Sequence, residues 1–155
     1  MPLYAYGEKT SQMISFPRDL LHVRTSSGKL SDTHETILIK RYLIRRLEIL
    51  RNKRKKEKDG FKTISFLEKG ELAALLKINE RFPSKEDRAQ KLRKLRRLRM
   101  TVMQILAYYK QIHYIEDYRE TARNVEIIGS VNDPWKLPEL RPDPLRKAPN
   151  SEEYL

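Results

Sequence analysis

The sequence predicts a mainly helical α+β fold with a small β-hairpin late in the chain and an extended, proline-rich C-terminal tail. Three observations carry this. Apolar residues recur every three or four positions in two stretches, after Asp32 and again from Ser84 to about Tyr109. The period shortens to two between residues 112 and 131. From Asn132 onward there are five prolines in 24 residues, too many for a domain and suited to a linker or an arm lying on a partner.

With 155 residues the chain is one domain, or a small domain with tails, and can bury a real core. It has no cysteine, which excludes a disulfide scaffold, an iron–sulfur site and a thiol nucleophile and fits a reducing, intracellular compartment. No apolar run approaches the ~20 residues of a membrane span. Met1-Pro2-Leu3-Tyr4 lacks the basic-then-apolar layout of a secretory signal, so the expected protein is not secreted.

Lys plus Arg is 33 against 21 Asp plus Glu, a net charge of +12. The excess is local. Residues 40–58 carry ten basic and two acidic residues, and residues 85–99 carry eight and two. Residues 1–39 and 59–84 are balanced, and 100–155 are slightly acidic. Basic segments with helical periodicity point to built surfaces for a polyanion, nucleic acid before anionic membrane. The plainer interpretation is two solvated helix faces.

In chain order, Phe16 to Leu21 reads as a short strand or turn against the core, and Thr25 to Gly28 as a loop. Asp32-Thr33-His34-Glu35 has capping-box spacing. The helix it starts carries Ile39, Leu43, Leu47 and Leu50 on one stripe, widened by Tyr42 and Ile44. Arg51 to Lys56 has no apolar face and reads as a frayed end or basic loop, closed by Asp59-Gly60. Phe61 to Phe66 is β-prone. Glu71 to Ile78 reads as a short helix with Leu72, Leu75 and Leu76 inward, and Asn79 to Pro83 as a turn. Ser84 caps the next helix, whose stripe is Leu92, Leu95, Leu98, Val102, Ile105 and Tyr109. That helix is long enough to be two, broken near Arg99-Met100-Thr101, or to pair as a coiled coil in a homodimer or larger complex. Ile112, Tyr114 and Tyr118, then Val125, Ile127 and Val131, alternate as the two arms of a hairpin around residues 119–124.

The order helix, strand, short helix, turn, basic helix, hairpin resembles a winged helix-turn-helix DNA-binding domain over residues 31–131. The sharpest local piece is Glu71-Leu72-Ala73-Ala74-Leu75-Leu76-Lys77-Ile78-Asn79. It is similar to the first helix and turn of many bacterial modules, with Ala73 and Ala74 as the small residues that admit the second helix. Those families place glycine at the turn, where φ is positive; this chain has Lys77. Phe16 to Leu21, Gly28-Lys29-Leu30-Ser31 and the leucine-rich helix further resemble plasmid and phage replication initiators and related transcription regulators.

The resemblance implies a function and a site. The expected role is non-enzymatic binding of double-stranded DNA, as a regulator or initiator. A recognition helix enters the major groove with its N-terminal residues at base edges. Those residues would be Lys85, Arg88, Gln90 and Lys91, with Arg93, Lys94, Arg96 and Arg97 on phosphates. Arg119 and Arg123 would be the wing contacts, and Lys53, Arg54, Lys55 and Lys56 a further phosphate clamp.

Other functions are weighed on the same residues. A basic helical body with a proline-rich arm also suits a structural subunit of a ribonucleoprotein, such as an accessory ribosomal protein, or a protein-interaction subunit. Tyr108, Tyr109, Tyr114 and Tyr118 read as packing residues rather than base-stacking ones, His113 as a surface residue and Trp135 as a tail anchor. His22, His34 and His113 lack metal-ligand spacing, and Glu116 and Asp117 would point to opposite faces of a strand. No phosphate-binding glycine loop and no nucleophile with a partner is present, so neither an enzyme nor a cofactor or metal site is expected.

Overall fold

A computed structural model describes residues 15–56, 62–65, 70–77, 85–122, 124–140 and 152–154. Strand β1 (Ser15–Pro17) runs into a 3₁₀ turn (Arg18–Leu21), followed by the two-residue strands β2 (Arg24–Thr25) and β3 (Gly28–Lys29). Next come α1 (His34–Lys56), β4 (Lys62–Ser65), α2 (Glu71–Leu75) and α3 (Lys85–Gln111). Strands β5 (Ile115–Glu120) and β6 (Asn124–Val131) form the hairpin, two 3₁₀ turns (Pro134–Lys136 and Pro138–Leu140) follow, and β7 (Glu152–Tyr154) ends the described chain. The fold is α+β, as expected.

Helix α1 starts one residue later than the capping-box spacing implies. Thr33 is the cap: its hydroxyl accepts from the Thr36 amide at 3.1 Å, and the Thr36 hydroxyl accepts from the Thr33 amide at 2.9 Å. This is the reciprocal arrangement of a capping box, with Thr36 in place of an acid. Asp32 is used elsewhere. Its carboxylate accepts from Lys40 Nζ at 2.6 Å, and Lys40 also donates to the Leu21 carbonyl at 2.6 Å. Lys40 is fully buried, so the bond ties the entering chain to the first turns of α1. Beyond it Ile39, Leu43, Ile44, Leu47 and Leu50 are buried, as their spacing predicts. The helix does not fray at Arg51 but continues to Lys56. Asp59-Gly60 lies outside the described residues.

The strand expected over 61–66 forms at Lys62–Ser65 and pairs antiparallel with β6, not with its sequence neighbour β5. The sheet order is β4-β6-β5. Two residues of β6, Gly129 and Ser130, stand opposite the single residue Glu116 of β5, so the bulge is in β6, and the Glu116 carboxylate accepts from the Ser130 amide at 3.0 Å. Opposite it, Gly129 has φ +79, and any side chain there would run into Glu116.

Helix α2 is only five residues long. Leu72 and Ala73 are buried, Leu75 and Leu76 pack on the edge of the core, and Ala74 is exposed. The chain leaves α2 through Lys77 at φ 61, so the left-handed turn that usually takes glycine is made here by a lysine. An L-residue pays about 1–2 kcal/mol for that conformation. Lys77→Gly should therefore raise stability by up to about 1 kcal/mol, net of the extra freedom glycine gives the unfolded chain. The urea midpoint reports it, and a drop in the midpoint would mean the turn is not strained.

Helix α3 is continuous over 27 residues, with no break at Arg99-Met100-Thr101. The expected stripe packs only from its middle. Leu98, Val102, Ile105 and Tyr109 are buried, but Leu95 is half-buried and Leu92 is 49% exposed. The helix ends at His113, φ 68, with the Tyr114 amide bonded to the Tyr109 carbonyl at 2.8 Å. Tyr109 and Tyr114 are buried edge to face, 5.2 Å apart. The core also reaches outside the 31–131 stretch, to Phe16, Leu20 and Val23 on one side and Leu137 and Leu140 on the other. So the first residues of the proline-rich tail are packed, and β7 pairs antiparallel with β1.

Candidate nucleic-acid interface

Three contacts set where the basic part of α3 sits. Arg97 lies 3.7 Å from Glu35 in the first turn of α1. Arg99 donates to Glu120 at 2.6 Å and to the Thr121 carbonyl at 2.7 Å, which places the hairpin tip beside the middle of α3. At the other end, Tyr114 donates to Glu48 at 2.6 Å. The hairpin thus runs back along the second half of α3 and stops at Arg99. Lys85 to Arg96 extends past both the hairpin tip and the start of α1, a length of about 18 Å at 1.5 Å per residue.

This projecting half has a basic residue on every side, with Glu86 and Asp87 among them near its start. At 100° per residue, Arg88, Arg96, Arg93, Arg97, Lys94 and Lys91 succeed one another around the helix with no gap wider than about 80°. Arg88, Gln90, Arg93, Arg96 and Arg97 are exposed, and Lys91 and Lys94 are half-exposed. Arg88, Arg93, Lys94 and Arg96 form no ion pair with another described residue. Lys85 is the first helical residue; its side chain lies outside the described part. Like charges at Arg88, Arg93, Lys94 and Arg96 repel one another, so the folded helix gains from a surrounding anion.

The other expected site residues are not gathered around this helix. Arg119 is on β5, across from Glu126 on β6, and donates to its carboxylate through Nε at 2.8 Å. Arg123 lies outside the described residues. Between 111 and 140 the chain holds six acidic and three basic residues, so the hairpin side is net acidic. Lys53, Arg54, Lys55 and Lys56 form the last turn of α1. Since Glu35 meets Arg97 and Glu48 meets Tyr114, α1 and α3 run in the same general direction. The end of α1 is then at the far end of the molecule from Arg88.

Sequence reasoning missed the groups that hold this arrangement. Glu48 is 4% exposed and accepts from Tyr114 and, at 2.9 Å, from Arg51. Burial first, then the Glu48 carboxylate, pushes the Tyr114 hydroxyl well above the usual phenol range, so it stays a neutral donor. Glu71 at the start of α2 accepts from both Tyr42 and Arg46 of α1. The sequence signal for Glu48 is a charged residue on an otherwise apolar stripe; Glu71 is exposed and leaves none.

Among the described residues no group of three or more His, Asp or Glu could hold a metal ion, and no helix is long and apolar enough to cross a membrane. The chain matches no protein-family profile, no curated protein and no solved structure.

Proposed function

We propose that this chain is a non-enzymatic nucleic-acid-binding protein that inserts the N-terminal half of α3 into the major groove of duplex DNA. The observation that carries this is the ring of basic residues on a helix half that, among the described residues, extends past the hairpin tip and the start of α1. A helix in a major groove faces base edges on its floor and a phosphate wall on each side, so it can use charge all round. Arg88, Gln90 and Lys91, nearest the tip, are the base-edge candidates, with Lys85 beside them. Arg93, Lys94, Arg96 and Arg97 are the phosphate candidates.

The winged-helix reading, as a transcription regulator or replication initiator, is supported by the β4-β6-β5 sheet, in which the strand between α1 and α2 joins the late hairpin. Two features depart from it. The left-handed turn after α2 is made by Lys77 where glycine is usual, and residues 78–84 lie outside the described residues. Arg119 is committed to Glu126, so a wing contact through it requires that pair to open.

Selection from a pool of random duplexes tests the proposal. A preferred site should emerge, and replacing Arg88 and Lys91 by glutamine should flatten the preference by about 1–3 kcal/mol per lost base contact. If no duplex is preferred, the groove assignment fails. A second reading, a ribonucleoprotein subunit, draws on the same all-round charge, which equally suits a helix enclosed by folded RNA. It prevails if structured RNA outcompetes every selected duplex.

A further inference from the structure

We propose that the molecule carries two separate nucleic-acid-binding ends and bridges two nucleic-acid segments; this rests on the reading of α3 above. The basis is the offset between the two long helices. They run in the same general direction, with Glu35 beside Arg97 and Glu48 beside Tyr114. Helix α3 therefore overhangs at its N-terminus and α1 at its C-terminus, and each overhang is the most basic stretch of its helix. Arg51-Asn52-Lys53-Arg54-Lys55-Lys56 ends α1 without an acid. Its centre lies roughly 30–40 Å from that of the α3 ring.

The space between is unsuited to one continuous polyanion. On the hairpin side, Lys110, Arg99 and Arg119 are already paired to Asp117, Glu120 and Glu126. On α1, Arg46 and Arg51 are already paired to Glu71 and Glu48. A duplex held in its groove by the tip of α3 lies beyond one end of the body, while the end of α1 points the opposite way. Four cations at a helix C-terminus also suit the dipole, so that end can stay helical until it meets phosphate.

The test uses the full chain with two short duplexes, one carrying a donor dye and the other an acceptor, with complex mass measured by sedimentation equilibrium. Wild type should give energy transfer from a complex of one chain and two duplexes. Changing Lys53, Arg54, Lys55 and Lys56 together to glutamine should cut that transfer about tenfold or more while leaving binding of a single duplex within about threefold. Circular dichroism confirms that the variant is folded, and a chain with only Lys55 and Lys56 replaced should show an intermediate loss. The bridging proposal is overturned if wild type never holds more than one duplex per chain, or if transfer requires two chains. It is also overturned if the α1 changes weaken single-duplex binding as much as changes in α3 do. Loss of all binding on changing α3 would overturn bridging, because a separate α1 end should still hold a duplex, but would leave the groove reading intact, whereas wild type binding no duplex or RNA would remove that reading and bridging with it.

Discussion

Changing Arg88, Arg93, Lys94 and Arg96 together to glutamine should lower duplex affinity on the order of 10³-fold at 0.1 M salt and leave the fold intact. Each phosphate contact contributes about 0.9 to the slope of log affinity against log salt, so the loss of the three phosphate candidates Arg93, Lys94 and Arg96 should lower the slope by about 2.7. Stability should not follow. None of the four is ion-paired to another described residue, and three are exposed. Removing their mutual repulsion should leave the unfolding midpoint equal to wild type or slightly above it, within about 0.5 kcal/mol. Glutamine keeps helix propensity close to that of lysine and arginine, so the helix itself is little changed. A salt titration of binding beside a thermal melt checks both halves. An unchanged slope would show that the ring is a solvated surface and that α3 is not the contact.

Much of this arrangement was legible in the sequence where one apolar stripe decided it. The inward faces of α1 and of α3 beyond Leu98 follow their spacing, because a helix with one apolar stripe has only one way to bury it. The β-prone stretch at 62–65 was also readable, but its partner β6 was not certain, since pairing between strands distant in sequence leaves no local mark. Leu92 misled for a related reason: periodicity says which residues share a face, not whether anything covers that face. The cap shifted from Asp32 to Thr33 because a buried ammonium 8 residues on claimed the carboxylate. At Lys77 the positive φ persists without glycine, so the turn is set by its surroundings rather than by its own residue. The candidate site divides in the same way. Local charge density marks both basic segments, but only the Glu35–Arg97 and Glu48–Tyr114 contacts reveal that they lie at opposite ends.

The Asp32–Lys40 pair should be strongly asymmetric when cut from its two sides. Lys40 is 0% exposed, whereas the Asp32 side chain is 44% exposed. Asp32→Ala leaves an ammonium in the core with only the Leu21 carbonyl as a described partner, which should cost about 3 kcal/mol or more. Lys40→Met removes the charge together with its desolvation penalty, fills nearly the same volume, and lets Asp32 turn to water. It leaves only the Leu21 carbonyl short of a donor, at a cost of about 1–2 kcal/mol. The double variant should then resemble Lys40→Met, so that adding Asp32→Ala to it costs almost nothing. The same pair gives a pH signature. The hydrogen bond from Lys40 holds the Asp32 carboxyl below its ordinary range. A depressed folded pKa contributes stability above the unfolded carboxylate value, and that contribution is lost as pH falls through the folded one. Urea midpoints taken between about pH 5 and pH 2 should therefore fall less steeply in Lys40→Met than in wild type. Solvent screening at the half-exposed carboxylate keeps this difference well below the cost of stranding the ammonium. Equal losses in the two single variants would mean that Lys40 is reached by water, and that the entering chain at Leu21 is held to α1 by apolar packing rather than by this bond.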